Sequence, residues 1–385
     1  MRSISILCLV LILFSSPLAA LAQQPASLLP PVPAAPAVAA RGYILLDFNS
    51  GEVLTEKDAD ETMDPASITK LMTAYVVFSE LSKGQMRLDD LVTVSERAWR
   101  TGGSRTFIEV GSRVSVEDLL RGMIIQSGND ASVALAEHTA GSEAAFAELM
   151  NEYARRLGMV NSNFRNANGL PAEDHYSSAR DIALLASAII REFPEFYQFY
   201  SEREFTFNNI TQRNRNAMLW RDPSVDGMKT GMTDAAGYCL VASAEREGMR
   251  LISVLLGTSS AKARADATQS LMNWGFRFYE SHRLYAAGEA VTSARIWKGE
   301  QDTLDLGLTE DLWVTVPRGR YDAMQAALEL KSPLVAPLAP EDAVGRIKVS
   351  LEGEPLAERP LHPLARSTEG GLARRALHSV LLWFE

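Results

Sequence analysis

The sequence predicts an α+β fold in which one antiparallel sheet is covered by helices and is followed by a smaller β-rich region. Two strand-like runs, residues 43–48 and 52–55, stand near the start and are joined through Asn49-Ser50-Gly51 as a hairpin. Two more, residues 238–244 and 250–256, follow a mostly helical segment that ends near residue 199. Helix-like residues 263–279 come next. Strands from both ends with helices between them indicate α+β rather than a βαβ repeat.

The N-terminus resembles a secretory signal. Arg2 supplies a positive start, residues 4–14 form an apolar core, and Ala20-Leu21-Ala22 is a small-x-small cleavage site. The apolar run is too short to span a bilayer comfortably, and a retained anchor is the alternative. We therefore expect a signal peptide over residues 1–22 and a Pro/Ala-rich tether over residues 23–39.

Composition excludes several classes of function. The formal net charge of −10 argues against nucleic acid as a partner. Cys8 lies inside the signal, so Cys239 has no partner for a disulfide within the mature monomer and is expected to be a buried small hydrophobe. The histidines are His138, His175, His282, His362 and His378. None has the spacing of a zinc peptidase, so each is expected to be a surface or packing residue, and neither a metal nor a cofactor is predicted.

A serine and a lysine three residues apart open one predicted helix. From Ile68 the apolar residues continue at helical spacing, which places Ser67 and Lys70 one turn apart on the same side. A hydroxyl becomes a nucleophile when a base lies within hydrogen-bond reach, and a lysine can be that base if its pKa is lowered. The alternative is a capping serine beside a surface lysine.

Two further triplets make this pattern specific. Ser127-Gly128-Asn129 lies between helix-like runs 116–125 and 131–138, where Gly128 is expected to supply the backbone freedom of a tight turn. The first of these runs opens with a Ser115/Asp118 capping pair. Lys229-Thr230-Gly231 precedes the two β-rich runs, and a strand with lysine, threonine and glycine can recognise an anion.

The order S-x-x-K, S-x-N, K-T-G is that of the penicillin-recognising serine enzymes. The chain resembles the low-molecular-mass penicillin-binding proteins, and among them the D-alanyl-D-alanine carboxypeptidases that trim peptidoglycan stem peptides. The resemblance runs from about Gly42 to the C-terminus. It is also carried by residues 177–181, 205–209, 225–227 and 274–278. It implies a serine-transpeptidase-like domain, with an antiparallel sheet flanked by helices and a helical subdomain, followed by a small β-sandwich.

The resemblance also implies roles for individual residues. Ser67 would attack the carbonyl between the last two D-alanines of a stem pentapeptide, with Lys70 as its base. Ser127 would relay a proton to the leaving amine with Lys229 behind it, and Asn129 would position Lys70 or the substrate amide.

Thr230, Gly231 and Met232 complete the substrate-binding strand, and the backbone N–H groups of Ser67 and Met232 would hold the oxyanion. Close relatives often carry His where this chain has Met232; the change leaves a backbone donor unaffected, and its effect on deacylation stays open. Arg264 matches the position of a cation for the substrate carboxylate, with a solvated helix arginine as the alternative.

The implied partners are the peptidoglycan stem pentapeptide and β-lactams as covalent inhibitors. A serine β-lactamase is one rival function, but it needs an E-x-x-L-N element between Asn129 and Lys229, and the sequence has none. A non-catalytic peptidoglycan-binding protein is the second rival, disfavoured because all three motifs are intact. Carboxypeptidase and endopeptidase preference stay open.

After Arg283 the apolar period changes to two, as at Leu304, Leu306 and Leu308, and again at Ile347, Val349 and Leu351. Gly307, Gly319, Gly345 and Gly353 are expected in turns. We therefore expect a catalytic domain over residues 40–283 and a β-sandwich over residues 284–363, which acts as a spacer, as a docking module or as a stability domain.

Residues 364–385 are predicted to be a linker and an amphipathic helix. The apolar half of that helix comprises Leu372, Ala373, Ala376, Leu377, Val380, Leu381, Trp383 and Phe384. Arg374, Arg375, His378 and Glu385 lie opposite, with Leu382 among them as the one misfit. Such a helix suits a membrane interface, and the polar residues 366–371 are expected to let it reach away from the rest of the protein. The sequence therefore predicts a periplasmic protein peripherally attached to the outer face of the inner membrane. A terminal helix packed on the protein is the alternative.

Overall fold

The computed structural model describes residues 31–384. The predicted signal peptide and the first part of the predicted tether lie outside the described residues. Residues 31–40 carry no regular secondary structure, and the first strand begins at Gly42.

The described chain contains seventeen strands and ten α-helices, numbered here in chain order. The strands are β1 Gly42–Asp47, β2 Val53–Lys57, β3 Leu91–Thr93, β4 Arg113–Ser115, β5 Glu204–Phe207, β6 Ile210–Arg213, β7 Val225–Thr233, β8 Gly237–Arg246, β9 Met249–Thr258, β10 Tyr279–Tyr285, β11 Ala290–Trp297, β12 Thr303–Gly307, β13 Leu312–Pro317, β14 Met324–Leu330, β15 Leu334–Val335, β16 Gly345–Leu351 and β17 Glu354–Pro363. The helices are α1 Lys70–Ser82, α2 Glu96–Arg100, α3 Val116–Ile125, α4 Asn129–Ala140, α5 Glu143–Arg156, α6 Ala179–Glu192, α7 Pro194–Tyr197, α8 Met218–Arg221, α9 Ala261–Phe278 and α10 Leu372–Leu381.

The principal sheet has the strand order β2-β1-β9-β8-β7, and every neighbouring pair is antiparallel. The predicted hairpin forms β1 and β2, and the two predicted β-rich runs lie in β8 and β9. Because side chains alternate across a strand, β1 and β9 bury residues on both faces. Ile44 and Ile252 join the core formed with α1 and α6, whereas a Cβ on Gly275 of α9 would contact Leu251 and Leu45. Helices therefore cover both faces of the sheet.

Helix α1 lies in the middle of the larger core. The sequence predicted one buried face, but all residues from Lys70 to Ser79 are buried. A helix is enclosed in this way when neighbours pack on every side, and α3, α4, α5 and α6 all contact it. This burial also encloses Lys70, which has consequences for its charge.

The region after α9 is β-rich, as the alternating apolar residues predicted. It contains a two-stranded sheet of β10 and β13 and a six-stranded sheet in the order β14-β16-β17-β12-β11-β15. The alternating side chains Leu304, Leu306, Ile347 and Val349 are buried in its two small cores. The predicted α+β fold is confirmed.

Two glycines expected in turns lie inside strands instead. Gly307 is the last residue of β12 and Gly345 the first of β16. A Cβ on Gly345 would lie 2.6 Å from the carbonyl oxygen of Glu329, and one on Gly307 would overlap the carbonyl oxygen of Glu289. These positions therefore need glycine because another backbone passes close by, not because the chain turns.

Helix α9 ends at Phe278 and β10 begins at the next residue, so no linker separates the two regions. A buried polar cluster, which we call the seam, joins them. The Asp47 carboxylate at the end of β1 is fully buried and accepts hydrogen bonds from the Ser50 hydroxyl (2.9 Å) and the Ser281 hydroxyl of β10 (3.2 Å). The Ser50 hydroxyl also lies 2.7 Å from the Thr315 hydroxyl of β13.

The C-terminal segment is bound to the β-rich region rather than reaching away from it. Ser367 and Glu369 form bridges with Leu338 and Gly299. In α10, His378 is buried and its Nδ1 accepts the Lys298 N–H at 2.8 Å, while Arg374 pairs with Asp302. The large apolar residues left exposed are Leu372, Leu377, Val380, Leu381, Trp383 and Phe384. The polar side of the helix is therefore the packed side, and its apolar side is free. Within residues 31–384, no helix has the length and apolar character to cross a membrane.

Candidate active site

Ser67 lies on a tight 3-10 turn, Ala66–Thr69, that runs directly into α1. Ala66, immediately before it, has a left-handed backbone with φ +47°, a conformation that costs a residue with a Cβ about 1–3 kcal/mol. Two glycines make room for this turn. A Cβ on Gly231 would lie 3.1 Å from the carbonyl oxygen of Pro65, and one on Gly169 would overlap that of Ala66. The surroundings thus hold Ser67 in a strained turn.

Lys70, the first residue of α1, is buried and makes three close contacts. Its Nζ lies 3.0 Å from Ser67 Oγ, 2.7 Å from Asn129 Oδ1 and 2.5 Å from the carbonyl oxygen of Asn168. Burial lowers the pKa of Lys70 to about 7; the charge of Arg215 acts in the same direction, and that of Asp130 opposes it. The predicted pair is therefore brought together, and a substantial share of Lys70 is neutral at neutral pH.

The triplet Ser127-Gly128-Asn129 lies on the turn between α3 and α4, as predicted, but its backbone differs from the expectation. Ser127 has the left-handed conformation, with φ +67°, whereas Gly128 has φ −59°. Gly128 is needed for space, because a Cβ there would overlap Thr106 Oγ1. Asn129 donates from Nδ2 to the carbonyl oxygen of Gly102 at 2.7 Å, which turns its Oδ1 towards Lys70.

Asp130 is a site residue that the motifs did not reveal. Its buried carboxylate accepts the backbone N–H of Thr106 (2.8 Å) and of Phe107 (2.9 Å), and so holds the preceding loop against the start of α4. That loop carries Ser104, whose carbonyl oxygen accepts the Asn129 N–H at 2.7 Å. An acidic residue in the first turn of a helix was the available signal.

Lys229, Thr230 and Gly231 lie on β7, at the edge of the principal sheet. The buried Lys229 Nζ donates to Ser127 Oγ at 2.9 Å and to the carbonyl oxygen of Thr230 at 3.0 Å. Burial lowers the pKa of Lys229 well below its ordinary value, and the charge of Lys70 lowers it further. Two lysines are thus buried close together, each beside one serine of the motifs.

A cavity of about 350 Å³ opens in front of these residues. It is lined by Ser67, Ser104, Ser127, Arg215, Thr230, Gly231, Met232, Tyr238, Ala261 and Arg264. Arg264 is not a solvated helix arginine, because its Nη1 donates to the carbonyl oxygens of Gly231 (3.0 Å) and Cys239 (3.1 Å). Arg215, which the sequence analysis missed, donates from Nε to the carbonyl oxygen of Gln126 at 3.0 Å. Two cations therefore line one cavity, and a guanidinium pairs well with a carboxylate.

His175 stabilises the turn that carries Ser67 through a contact with Thr69. Its Nδ1 accepts the Arg165 N–H at 3.0 Å, so Nε2 carries the proton and donates to Thr69 Oγ1 at 2.8 Å. Burial lowers the pKa of His175 to about 4, which keeps the ring neutral at neutral pH. His175 was expected to be a surface or packing residue; it is a packing residue that also fixes the turn next to Lys70.

Residues 31–384 contain no group of three or more metal-ligating side chains that could hold a metal ion.

Comparison with known proteins identifies the family. Residues 30–260 match the D-alanyl-D-alanine carboxypeptidase family of peptidases. The chain belongs to this family. The carboxypeptidase match is followed by a second one, in which residues 279–366 match the C-terminal domain of penicillin-binding protein 5. The resemblance stated from the three motifs is thereby confirmed.

Individual carboxypeptidases of the family are similar over nearly the whole chain. D-alanyl-D-alanine carboxypeptidase DacA of Escherichia coli is 44% identical over 361 residues, which cover 92% of this chain and 90% of the relative. DacC of the same organism is 45% identical, with 91% and 90% covered. The crystal structure of penicillin-binding protein 5 from Haemophilus influenzae superposes with a TM-score of 0.84 at 42% identity, covering 87% of this chain and 99% of that one.

Proposed function

We propose that this carboxypeptidase removes the terminal D-alanine from peptidoglycan pentapeptide stems through an acyl-enzyme on Ser67. The observation that carries the proposal is the set of contacts around Lys70 Nζ. Its neighbours Asn129 Oδ1 and the Asn168 carbonyl oxygen can only accept hydrogen bonds, whereas the Ser67 hydroxyl can also donate. A neutral amine has two N–H groups and one lone pair. The two acceptors occupy the N–H groups, so the lone pair is left for the Ser67 proton.

The first step follows from that arrangement. Ser67 Oγ attacks the carbonyl carbon of the scissile peptide bond while its proton passes to Lys70. The backbone N–H groups of Ser67 and Met232 stabilise the negative charge that develops on the carbonyl oxygen. Because Gly231 has no side chain, the strand that carries Met232 can lie close to the Ser67 turn.

The second step releases D-alanine. The leaving amine needs a proton, and we assign its transfer to Ser127, which lines the cavity. Lys229 lies 2.9 Å behind Ser127 Oγ and can replace the proton that Ser127 gives up. Asn129 holds Lys70 in place through its Oδ1.

Recognition of the free carboxylate of the substrate is assigned to Thr230 and Arg264, with Arg215 as a second cation. Water then hydrolyses the acyl-enzyme. The Met232 side chain has no group that can activate this water, so deacylation relies on Lys70 and the serines.

Benzylpenicillin tests the nucleophile directly. We expect intact-mass measurement to show one added penicilloyl group on the wild type and none on Ser67→Ala. Ser104→Ala is the matched control, because Ser104 lines the same cavity and should keep the adduct. Lys70→Ala should fold normally by circular dichroism yet label far more slowly.

An adduct on Ser67→Ala at the same stoichiometry would place the nucleophile elsewhere. Rapid turnover of penicillin, instead of a lasting adduct, would favour the β-lactamase. Released D-alanine from a muropeptide pentapeptide completes the test, and its absence from an enzyme that penicillin still labels would favour a binding protein.

We further propose that the chain is exported by a signal over residues 1–22 and that residues 364–385 attach it to the outer face of the inner membrane. Residues 40–283 would form the catalytic domain and residues 284–363 the β domain. Support for attachment comes from α10 and the residues that follow it. Trp383 and Phe384, just after the helix, are 90% and 85% exposed, while His378 and Arg374 of the helix pack on the protein. An apolar face turned outwards suits an interfacial helix.

Deletion of residues 371–385 tests this attachment. The truncated protein should move from the membrane pellet to the soluble periplasmic fraction with its peptidase activity kept. Leu377→Glu, on the exposed face of α10, should weaken pelleting, whereas Leu328→Glu, an exposed apolar position on β14, should not. A truncated protein that still pellets, or a full-length one that never does, would contradict the attachment.

A further inference from the structure

Met232 is unusual among the methionines of this chain. Its side chain is 53% exposed, whereas every other methionine of residues 31–384 is buried or half-buried. Thioethers normally fill gaps in a core, so an exposed one is unprotected from reagents in solution.

The position of Met232 makes that exposure consequential. It lies on β7 opposite Tyr238 and lines the same cavity as Ser67, Arg215 and Arg264. Its backbone N–H is the proposed oxyanion donor, but within residues 31–384 no hydrogen bond involves its sulfur. The thioether can therefore change chemically without the loss of a hydrogen bond.

We propose that Met232 is an oxidation site through which a peroxide lowers the affinity of the enzyme for its anionic substrate, an effect that rests on the proposed function. The sulfur attacks one oxygen of hydrogen peroxide; an S–O bond forms and the O–O bond breaks. The thioether loses two electrons and becomes a sulfoxide, and the other peroxide oxygen leaves as water.

The consequence follows from the charges around the cavity. A sulfoxide oxygen is a strong hydrogen-bond acceptor, and two guanidinium groups, those of Arg215 and Arg264, line the same space. The oxygen competes with the substrate carboxylate for these donors. The buried groups Lys70 and Lys229 are not altered. The KM for the pentapeptide should therefore rise by about fivefold or more, the effect of weakening one charged hydrogen bond, while kcat changes less.

The test is graded treatment with hydrogen peroxide, followed by peptide mass mapping and by measurement of KM and kcat for D-alanine release. Each variant is compared with its own untreated sample. In the wild type we expect the peptide that contains residue 232 to gain one oxygen first, in step with the rise in KM, and methionine sulfoxide reductases to reverse both. Met232→Leu should show no rise on treatment. Met324→Leu, which removes the half-buried methionine of β14, should respond as the wild type does.

Three results would overturn the inference: a residue 232 that stays unoxidised, an oxidised residue 232 with unchanged KM, or an equal rise in treated Met232→Leu. If the untreated protein releases no D-alanine, the proposed function is wrong, and so is the proposed effect of oxidation on KM.

Discussion

At the scale of single residues, the site depends on two lysines buried without a carboxylate partner. Burial disfavours the charged form of each lysine, the charge of Lys70 lowers the pKa of Lys229 further, and the charge of Arg215 lowers the pKa of both. The fold therefore produces a base without a histidine or an acid. Lys70 is the better placed of the two, since its Nζ lies 3.0 Å from Ser67 Oγ.

The first prediction concerns pH. Only neutral Lys70 can accept the Ser67 proton, and its pKa is lowered to about 7. The rate of acylation by benzylpenicillin should therefore be low in acid and rise with pH, with a midpoint near that value. Stopped-flow or quenched mass measurement over a pH series checks this.

Lys70→Arg is the control for that series, because a guanidinium keeps its proton across the whole range. Lys70→Arg should be acylated slowly at every pH, and its acylation rate should not rise with pH. A wild-type rate that does not change across the neutral range would contradict the assignment of Lys70 as the base.

The second prediction separates Lys229 from ordinary lysines. Lys229→Ala removes the group behind Ser127 Oγ and should lower kcat/KM for D-alanine release by more than about tenfold, roughly 1.4 kcal/mol. Lys331→Ala, at an exposed lysine of the β-rich region, should leave kcat/KM unchanged. A loss below tenfold for Lys229→Ala would mean that Lys229-Thr230-Gly231 has only a structural role.

Sequence spacing located the residues that lie on one element but not those that meet through the fold. Ser67 and Lys70 are one helical turn apart, so their contact was predictable from position alone. The carbonyl oxygen of Asn168, the ring of His175 and the guanidinium of Arg215 reach the site from distant segments. Nothing in their local patterns distinguishes them from loop residues.

At the scale of elements, the turn before α1 is held by the segment that follows α5. Asn168 accepts from Lys70, and Gly169 leaves space for the strained Ala66. The position needs glycine for two separate reasons, a left-handed backbone with φ +80° and the absence of a Cβ.

The third prediction separates these two reasons. Gly158 also has a left-handed backbone, with φ +75°, but a Cβ there would meet nothing within 4 Å. Gly158→Ala should cost only about 1–2 kcal/mol of unfolding free energy, the cost of the left-handed conformation. Gly169→Ala should cost more than that and should also slow penicillin acylation, because the Ser67 turn must shift. Denaturant unfolding and intact mass measure the two effects, and equal results for both variants would contradict this account.

The presence of the helices and strands was predictable from the sequence. The face that each one buries was not always predictable. Period-two alternation placed Ile347 and Val349 correctly in β16. The pattern of α1 indicated one buried face, but tertiary packing encloses the helix completely. In α10 the predicted division into two sides is present, yet the polar side packs on the protein, because His378 and Arg374 find partners there.

At the scale of the whole molecule, the seam connects the principal sheet to the β-rich region through a buried carboxylate and the hydroxyls around it. The Asp47 carboxylate accepts from the Ser50 backbone (2.8 Å), the Ser50 hydroxyl and the Ser281 hydroxyl, all through Oδ1. Its burial raises the pKa of Asp47 above the ordinary value. The fold class was predictable because each region has its own pattern, but this junction was not, since serine and threonine carry no such signal.

The fourth prediction tests the seam. Asp47→Ala removes the acceptor of three half-buried donor groups, the Ser50 N–H and the hydroxyls of Ser50 and Ser281, and should cost about 1–3 kcal/mol of unfolding free energy. Calorimetry should show a lower Tm, whereas Asp89→Ala, at an aspartate with an exposed side chain, should change the Tm little. An unchanged Tm for Asp47→Ala would mean that the seam contributes nothing to stability.

The direct passage from α9 into β10 has a further consequence. A flexible linker would let the cavity take many positions relative to the β-rich region. A connection with no intervening residue restricts that movement. With α10 as the proposed point of attachment, the cavity is held at one distance from that surface. Stem peptides at that distance then have a high effective concentration at Ser67, and those elsewhere have almost none. Under the proposed attachment, the geometry of the junction would select among chemically identical peptides by their distance from the membrane.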